Sequence, residues 1–362
     1  MLYFSLTTLH HSTAFVVFIT MLDVTESIGN VTENSKHSEG RSVLQVDSFM
    51  NILYIIVSVV GVVGNGIVVF TMLHSRALRR KPSNVLVINQ STIDLCSSIL
   101  IAPSYLLNTT VNMDHSLASS LWCKLWLARP IKWGCIHASS YGLVCLSFER
   151  FLALVYPFFH TKHMTTRVAR LMCIIPWVIS FSYSVPLKVP TSYVDETGTC
   201  KMMAKWPSQK MQERTMIAII FLQYFLPCIS LIYLYLRMYL AIRRAKNSSK
   251  TGNEDNKRAL KMEQAERNMF KTFVLVTLAF FLCVSWNQWY FFLGNINLIE
   301  LDWQTPWYHF TVIAIYTNAI INPFIYSFSY EPFKKEIVKI CGCRRKPKYE
   351  SYESSQSVAT KF

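Results

Sequence analysis

The run "ILYIIVSVVGVVGNGIVVFTML", Ile52 to Leu73, contains no charged residue. Its length matches the roughly 20 residues an α-helix needs to cross a bilayer. Six further apolar runs, most with at least one charged residue, follow at about Ser83–Leu107, Trp122–Val155, Val168–Pro186, Thr215–Ala241, Glu266–Leu293 and Pro306–Ser329. The chain of 362 residues is 52% hydrophobic and 16% charged, against about 25% charged in an ordinary soluble domain. The fold expected is an all-α membrane protein, a seven-transmembrane helix bundle over 49–330, with an extracellular segment at 1–48. The third run is long enough to span as one tilted helix.

The net charge of +15 does not point to nucleic acid, because the basic residues sit between the apolar runs. Arg76, Arg79, Arg80 and Lys81 follow the first run. Lys162, Arg167 and Arg170 follow the third, Arg243 to Lys261 the fifth, and Lys334 to Lys346 the seventh. The alternate links are poorer in Lys and Arg, except the one holding Lys201, Lys205, Lys210 and Arg214. The positive-inside rule then puts the N-terminus outside and the tail in the cytoplasm of a multi-pass plasma-membrane protein. Sequons at Asn30 and Asn108 fall on the outer side. Of ten cysteines only Cys123 and Cys200 fall outside; an isolated pair in an oxidising compartment is expected to bridge, the alternative being two free thiols. Cys341 and Cys343 stand beside a basic cluster, as palmitoylation sites or as reduced thiols.

Polar residues at membrane depth are functional candidates. Asn65, Asp94, Ser139, Asn318 and Asn322 are such residues. Two readings stand for them: hard oxygen ligands for a small cation such as Na+, or a polar knot between helices. No other cofactor is expected. Pro227 and Pro323 interrupt helix hydrogen bonding and make sites where a bundle rearranges. Lys132 lies 18 residues before Arg150, five turns at about 3.6 residues per turn. The two therefore share a face near opposite membrane surfaces. Lys132 either faces an acidic ligand group or snorkels outward. In "LVCLSFERFLALVYP" an acid and a base, Glu149 and Arg150, close that run at its cytoplasmic end, where headgroup water is expected to relieve their charge.

The motifs in order resemble the rhodopsin-like (class A) G-protein-coupled receptors. They are Gly64-Asn65, Asp94, Cys123 with Cys200, "ERF" at Glu149 to Phe151, Trp177, Pro227 with Tyr235, "NPFIY" at Asn322 to Tyr326, and Phe333 in "EPFKKEI". The resemblance covers about Asn51 to Cys343. It implies a receptor that binds an extracellular ligand and activates heterotrimeric G proteins, with no bond made or broken by the chain. It implies a short amphipathic eighth helix and cytoplasmic tail over 331–362, with arrestin and receptor kinases as partners. It implies that Arg150 locks the inactive state through Glu149 and Glu266, with Tyr235 and Tyr326 nearby. Glu266 also reads as a solvated acid of a helix's first turn.

The ligand pocket expected comprises Lys132, His137, Asn287, Gln288, Tyr290, His309 and Tyr316, though several of these can serve packing alone. Lys132 stands where the family's amine receptors carry an aspartate, which argues against an amine. The long charged link before the fifth run suits a peptide; an acidic small molecule meeting Lys132 is the alternative. A transporter is the rival class, but internal repeats are missing and Asp94 is the only acid expected deep in the bundle. Two departures stand out. In "CVSWNQWYFF", Val284 and Trp286 replace the family's segment-six tryptophan and proline. Cys123 precedes Arg150 by 27 residues, longer than the family's usual spacing, so the third run is expected to begin with an irregular turn.

Overall fold

The computed structural model describes residues 39–107, 113–248, 257–302 and 305–340; side chains are described from residue 49 onward, except at 245–248, 257–269, 328 and 332. Asn30, Asn108, Cys341, Cys343 and the side chain of Glu266 lie outside the described residues. Among those described, seven helices are long and apolar enough to cross a membrane: Phe49–His74, Pro82–Leu106, Leu117–Val155, Thr166–Thr191, Gln209–Arg244, Phe270–Asn295 and Pro306–Ser327. They are called spans one to seven. Glu331–Ile340 follows span seven as the short eighth helix, seated by the fully buried Phe333.

The bundle closes because small residues let helices approach. A Cβ on Gly61 would stand 2.2 Å from the Ser98 Oγ, so span one meets span two there. Pro323 has no N–H, which strips the Ala319 carbonyl of its helical donor. The Asn65 Nδ2 supplies the replacement at 2.8 Å, joining span one to span seven. That gives the Gly-Asn pair and the NPxxY proline one shared job.

Span three is not one continuous tilted helix. A π-helical stretch, Trp122–Leu127, is followed by Arg129 at φ 56° and then by the α-helix Pro130–Val155. Proline disfavours helical backbone at the residue before it and suits the first turn of the helix it opens. Pro130 therefore sets the break, and the expected irregular turn is this one. Above it, Cys123 is disulfide-bonded to Cys200 across 77 residues. Cys200 lies in a hairpin in which Tyr193 pairs with Lys201 and Val194 with Cys200. Gly198 turns that hairpin at φ 73°, and a Cβ there would meet the Met113 carbonyl oxygen at 2.6 Å. Hydrogen bonds from Thr197 and Thr199, with Lys201 beside it, hold the Asp195 carboxyl down at about 2.

Span six runs unbroken within the helix Lys257–Asn295. Neither a proline nor a π-turn interrupts it, as the loss of the usual proline implies. Trp286 instead meets Trp307 and Phe310 of span seven at ring distances of 5.8 and 5.9 Å.

Candidate functional site

Three polar layers are stacked through the bundle. In the innermost, Glu149 accepts Arg150 Nε at 2.6 Å and Arg150 Nη2 at 2.8 Å. The same carboxylate accepts the Ser83 hydroxyl at 3.0 Å and lies 2.8 Å from the His160 Nε2. Headgroup water does not relieve this pair: Glu149 is 0% and Arg150 4% exposed. The cost of burial is instead offset by donors from span two and from the helix Pro157–His163. Asp94 is thus not the only acid deep in the bundle. The Arg150 guanidinium also lies 5.9 Å from the centre of the Phe273 ring on span six. Tyr235 donates to the Phe273 carbonyl at 2.9 Å, accepts from Thr277 at 3.0 Å and sits 3.1 Å from the Ser147 hydroxyl. It thereby stitches spans three, five and six beside Arg150. The Tyr326 hydroxyl is buried with no hydrogen-bond partner among the described residues.

In the middle layer, Asp94 accepts from Ser139 at 2.8 Å and from Asn322 at 2.8 Å. Gln90 donates to the Ser139 oxygen at 2.7 Å and reaches Asp94 at 3.4 Å. The Gln90 side chain fits because residue 142 is glycine: a Cβ there would be 2.2 Å from the Gln90 Oε1. Asn318 reaches Ser139 through its Nδ2 at 3.5 Å. A cavity of about 10 Å³, lined by Asp94, Ser97, Ser139 and Asn318 among others, has the room one water-sized sphere needs. The Asn318 Oδ1 is buried with no hydrogen-bond partner among the described residues. A carboxylate, a hydroxyl and an orphaned amide oxygen around such a cavity fit a small hard cation. Asn65 does not line this cavity; its Nδ2 serves spans one and seven.

The outer layer is an aromatic cage around cations. Lys132 is 3% exposed, so it does not snorkel. Its Nζ donates to the Tyr316 hydroxyl at 2.6 Å. It lies 4.6, 5.3 and 5.1 Å from the ring centres of Tyr105, Trp133 and Tyr316. Tyr54 stacks on Tyr105 at 3.9 Å, and the Tyr105 and Tyr316 hydroxyls are 2.8 Å apart. Two more cations share these rings: Arg129 stands 4.6 Å from Tyr105 and Lys188 5.7 Å from Trp133. No described carboxylate lies within ion-pair distance of Arg129, Lys132 or Lys188. His137 stacks on Trp133 at 5.7 Å, and His309 lies 3.4 Å from the Tyr54 hydroxyl. Asn287 donates to Thr311 at 3.3 Å, and Gln223 donates to Gln288 at 2.7 Å. The Tyr290 hydroxyl donates to the Asp302 carbonyl at 2.9 Å and braces the link to span seven, while its ring lies 6.2 Å from that of Tyr308.

Sequence reasoning missed Gln90, His160, Arg129 and Lys188. Gln90 carried a faint signal, the unusually polar "NQSTID". The contact of His160 with Glu149 depends on the turn after span three and had none.

A family model described as 7 transmembrane receptor (rhodopsin family) matches residues 64–326. Galanin receptor 2a of Danio rerio is 24% identical over 303 residues, covering 81% of this chain and 78% of that protein. Somatostatin receptor type 1 of Mus musculus is 24% identical over 314 residues, covering 86% and 75% respectively. The crystal structure of squid rhodopsin matches in fold with a TM-score of 0.66 at 19% identity, covering 88% of this chain and 92% of that one. The chain belongs to the rhodopsin family of seven-transmembrane receptors. It is a multi-pass membrane protein whose family is one of receptors rather than enzymes.

Proposed function

We propose that the chain is a plasma-membrane receptor for an extracellular peptide that presents an acidic group, and that it activates heterotrimeric G proteins. The observation carrying this is the outer cage. Arg129, Lys132 and Lys188 share Tyr105 and Trp133 with no described carboxylate to neutralise them. A buried cation that lacks a counter-charge is costly, and a ligand carboxylate would remove that cost. The charged hairpin at Tyr193–Lys201 supports a peptide, as does the likeness to the galanin and somatostatin receptors. The positive-inside pattern supports an outer N-terminus and a cytoplasmic tail. There Arg150 would meet the G protein, and the tail serines would recruit receptor kinases and arrestin.

The test is ligand-dependent nucleotide exchange in membranes expressing the receptor, screened with secreted peptides. Active peptides are then compared with versions in which each acidic group is amidated. Exchange driven by the acidic forms is expected. Substrate flux without exchange would replace the receptor reading with a transporter.

Asp94, Ser139 and Asn318 would hold Na+, which would balance the buried carboxylate. Sodium chloride is expected to raise the melting temperature of the purified receptor relative to a bulky organic cation, and Asp94→Asn to remove the difference. A sodium effect that survives Asp94→Asn would place the ion elsewhere.

A further inference from the structure

We propose that an arginine-lined concavity at the ends of spans one, two and four binds the polyphosphorylated headgroup of an inner-leaflet lipid. The concavity, about 520 Å³, is bordered by Arg76, Arg79, Arg80, Thr166, Arg167 and Arg170. Two separate elements build it. The short helix Arg76–Arg79 buries Leu78, leaving Arg76, Arg79 and Arg80 exposed. The helix Thr166–Met172 buries Ala169 and leaves Arg167 and Arg170 exposed. The Thr166 hydroxyl donates to the Arg80 carbonyl at 2.9 Å, which fixes one element against the other.

Nothing in the surrounding chain answers this charge. No Asp or Glu occurs from residue 48 to 93 or from 150 to 194. No described carboxylate is within ion-pair distance of any of the five guanidiniums. Five like charges around one concavity repel unless an anion enters from outside. Guanidinium groups match phosphate oxygens with paired, directional hydrogen bonds, and several around one hollow fit a headgroup bearing more than one phosphate.

The flanks of the concavity say where that anion comes from. Phe70 and Leu73 on span one, and Leu171 and Ile174 on span four, are large apolar side chains exposed on the outside of the bundle. In a membrane receptor those faces meet acyl chains, so the arginines just beyond them stand at headgroup level. A phosphorylated lipid in the leaflet reaches them without leaving the bilayer. The inner leaflet follows from the orientation proposed above, which puts these links in the cytoplasm. The apolar flanks favour a lipid over an acidic loop of a cytoplasmic protein.

The test uses the full-length receptor in phosphatidylcholine nanodiscs with or without phosphatidylinositol bisphosphate, with bound lipid read by native mass spectrometry. The comparison variant carries Arg76→Gln, Arg79→Gln, Arg167→Gln and Arg170→Gln; Lys201→Gln with Lys205→Gln, on the outer hairpin, is the charge-loss control. Lipid affinity is expected to fall on the order of fivefold for each arginine removed, to weaken with salt and to be unchanged in the control. Equal retention by the arginine variant and the parent would overturn the proposal. Soluble inositol trisphosphate binding as tightly as the lipid would make this a free-phosphate site and overturn the lipid assignment. A variant that retains lipid but loses G-protein exchange would assign the surface to a protein instead. If the quadruple variant does not express, Arg79→Gln with Arg170→Gln makes the same comparison.

Discussion

Glu149→Ala is expected to destabilise the ligand-free receptor by about 3–5 kcal/mol, the usual cost of removing one side of a buried charge pair. It is also expected to raise ligand-free nucleotide exchange. Both effects follow from the same carboxylate. It receives two hydrogen bonds from Arg150, at 2.6 and 2.8 Å, and contacts Ser83 and His160. Without it, the guanidinium loses those two hydrogen bonds in a dry site, which favours a rearrangement that brings it nearer to solvent. The Tyr235 stitch to span six holds the alternative arrangement shut, so the population shift draws on the whole inner layer. Thermal melting of purified protein and exchange assays without ligand read the two parts separately. Unchanged melting together with unchanged basal exchange would show that the pair holds nothing in place.

Lys132→Met is expected to move stability and response in opposite directions. Lys132 is buried against three aromatic rings with two other cations nearby and no described carboxylate. An apolar side chain of similar length keeps the packing and removes the desolvated charge. A gain of about 1–4 kcal/mol is expected, as when buried ions elsewhere are replaced by apolar groups. The response to an acidic ligand should fall by 10-fold or more, since losing a charge-assisted hydrogen bond costs about 1.5–3 kcal/mol. Ligand-free melting and agonist dose–response curves measure the two halves. A variant that melts lower than the parent would mean that the ammonium is stabilised by the ligand-free cage after all. Such an inverse relation between stability and activity is expected where a binding site carries unfavourable charge.

The architecture was legible because burial in lipid leaves a coarse mark. Seven predominantly apolar runs, with Lys and Arg concentrated in alternate links, admit few arrangements. The helix that holds span seven follows its apolar run, Pro306 to Ser329, because Pro306 and the N-capping Thr305 open it. Span three did not, because hydropathy is blind to the backbone: Trp122 to Val155 reads as one predominantly apolar run, and the break at Arg129 is signalled only by Pro130 and by the long Cys123–Arg150 spacing. The polar layers were partly legible. Asp94, Ser139 and Asn322 declare themselves as polar groups at depth. The role of Gln90 depends on the space left by Gly142 across a helix interface, which no spacing rule conveys. The bracing contact of Tyr290 was not legible, because it depends on how the link after span six folds back. The Tyr290 hydroxyl donates to the Asp302 carbonyl and accepts from the Asp302 N–H.

Span six carries one more consequence. A helix with a proline bend can swing its inner half while its outer half stays still. Here the helix is straight-laced from Lys257 to Asn295, and its outer part is clasped to span seven through Trp286, Trp307 and Phe310. Such an element behaves as a rigid lever with its fulcrum near the clasp. Displacement at the cytoplasmic end must then be accompanied by rotation or counter-displacement at the extracellular end, so the ligand has direct mechanical purchase on the far side of the membrane.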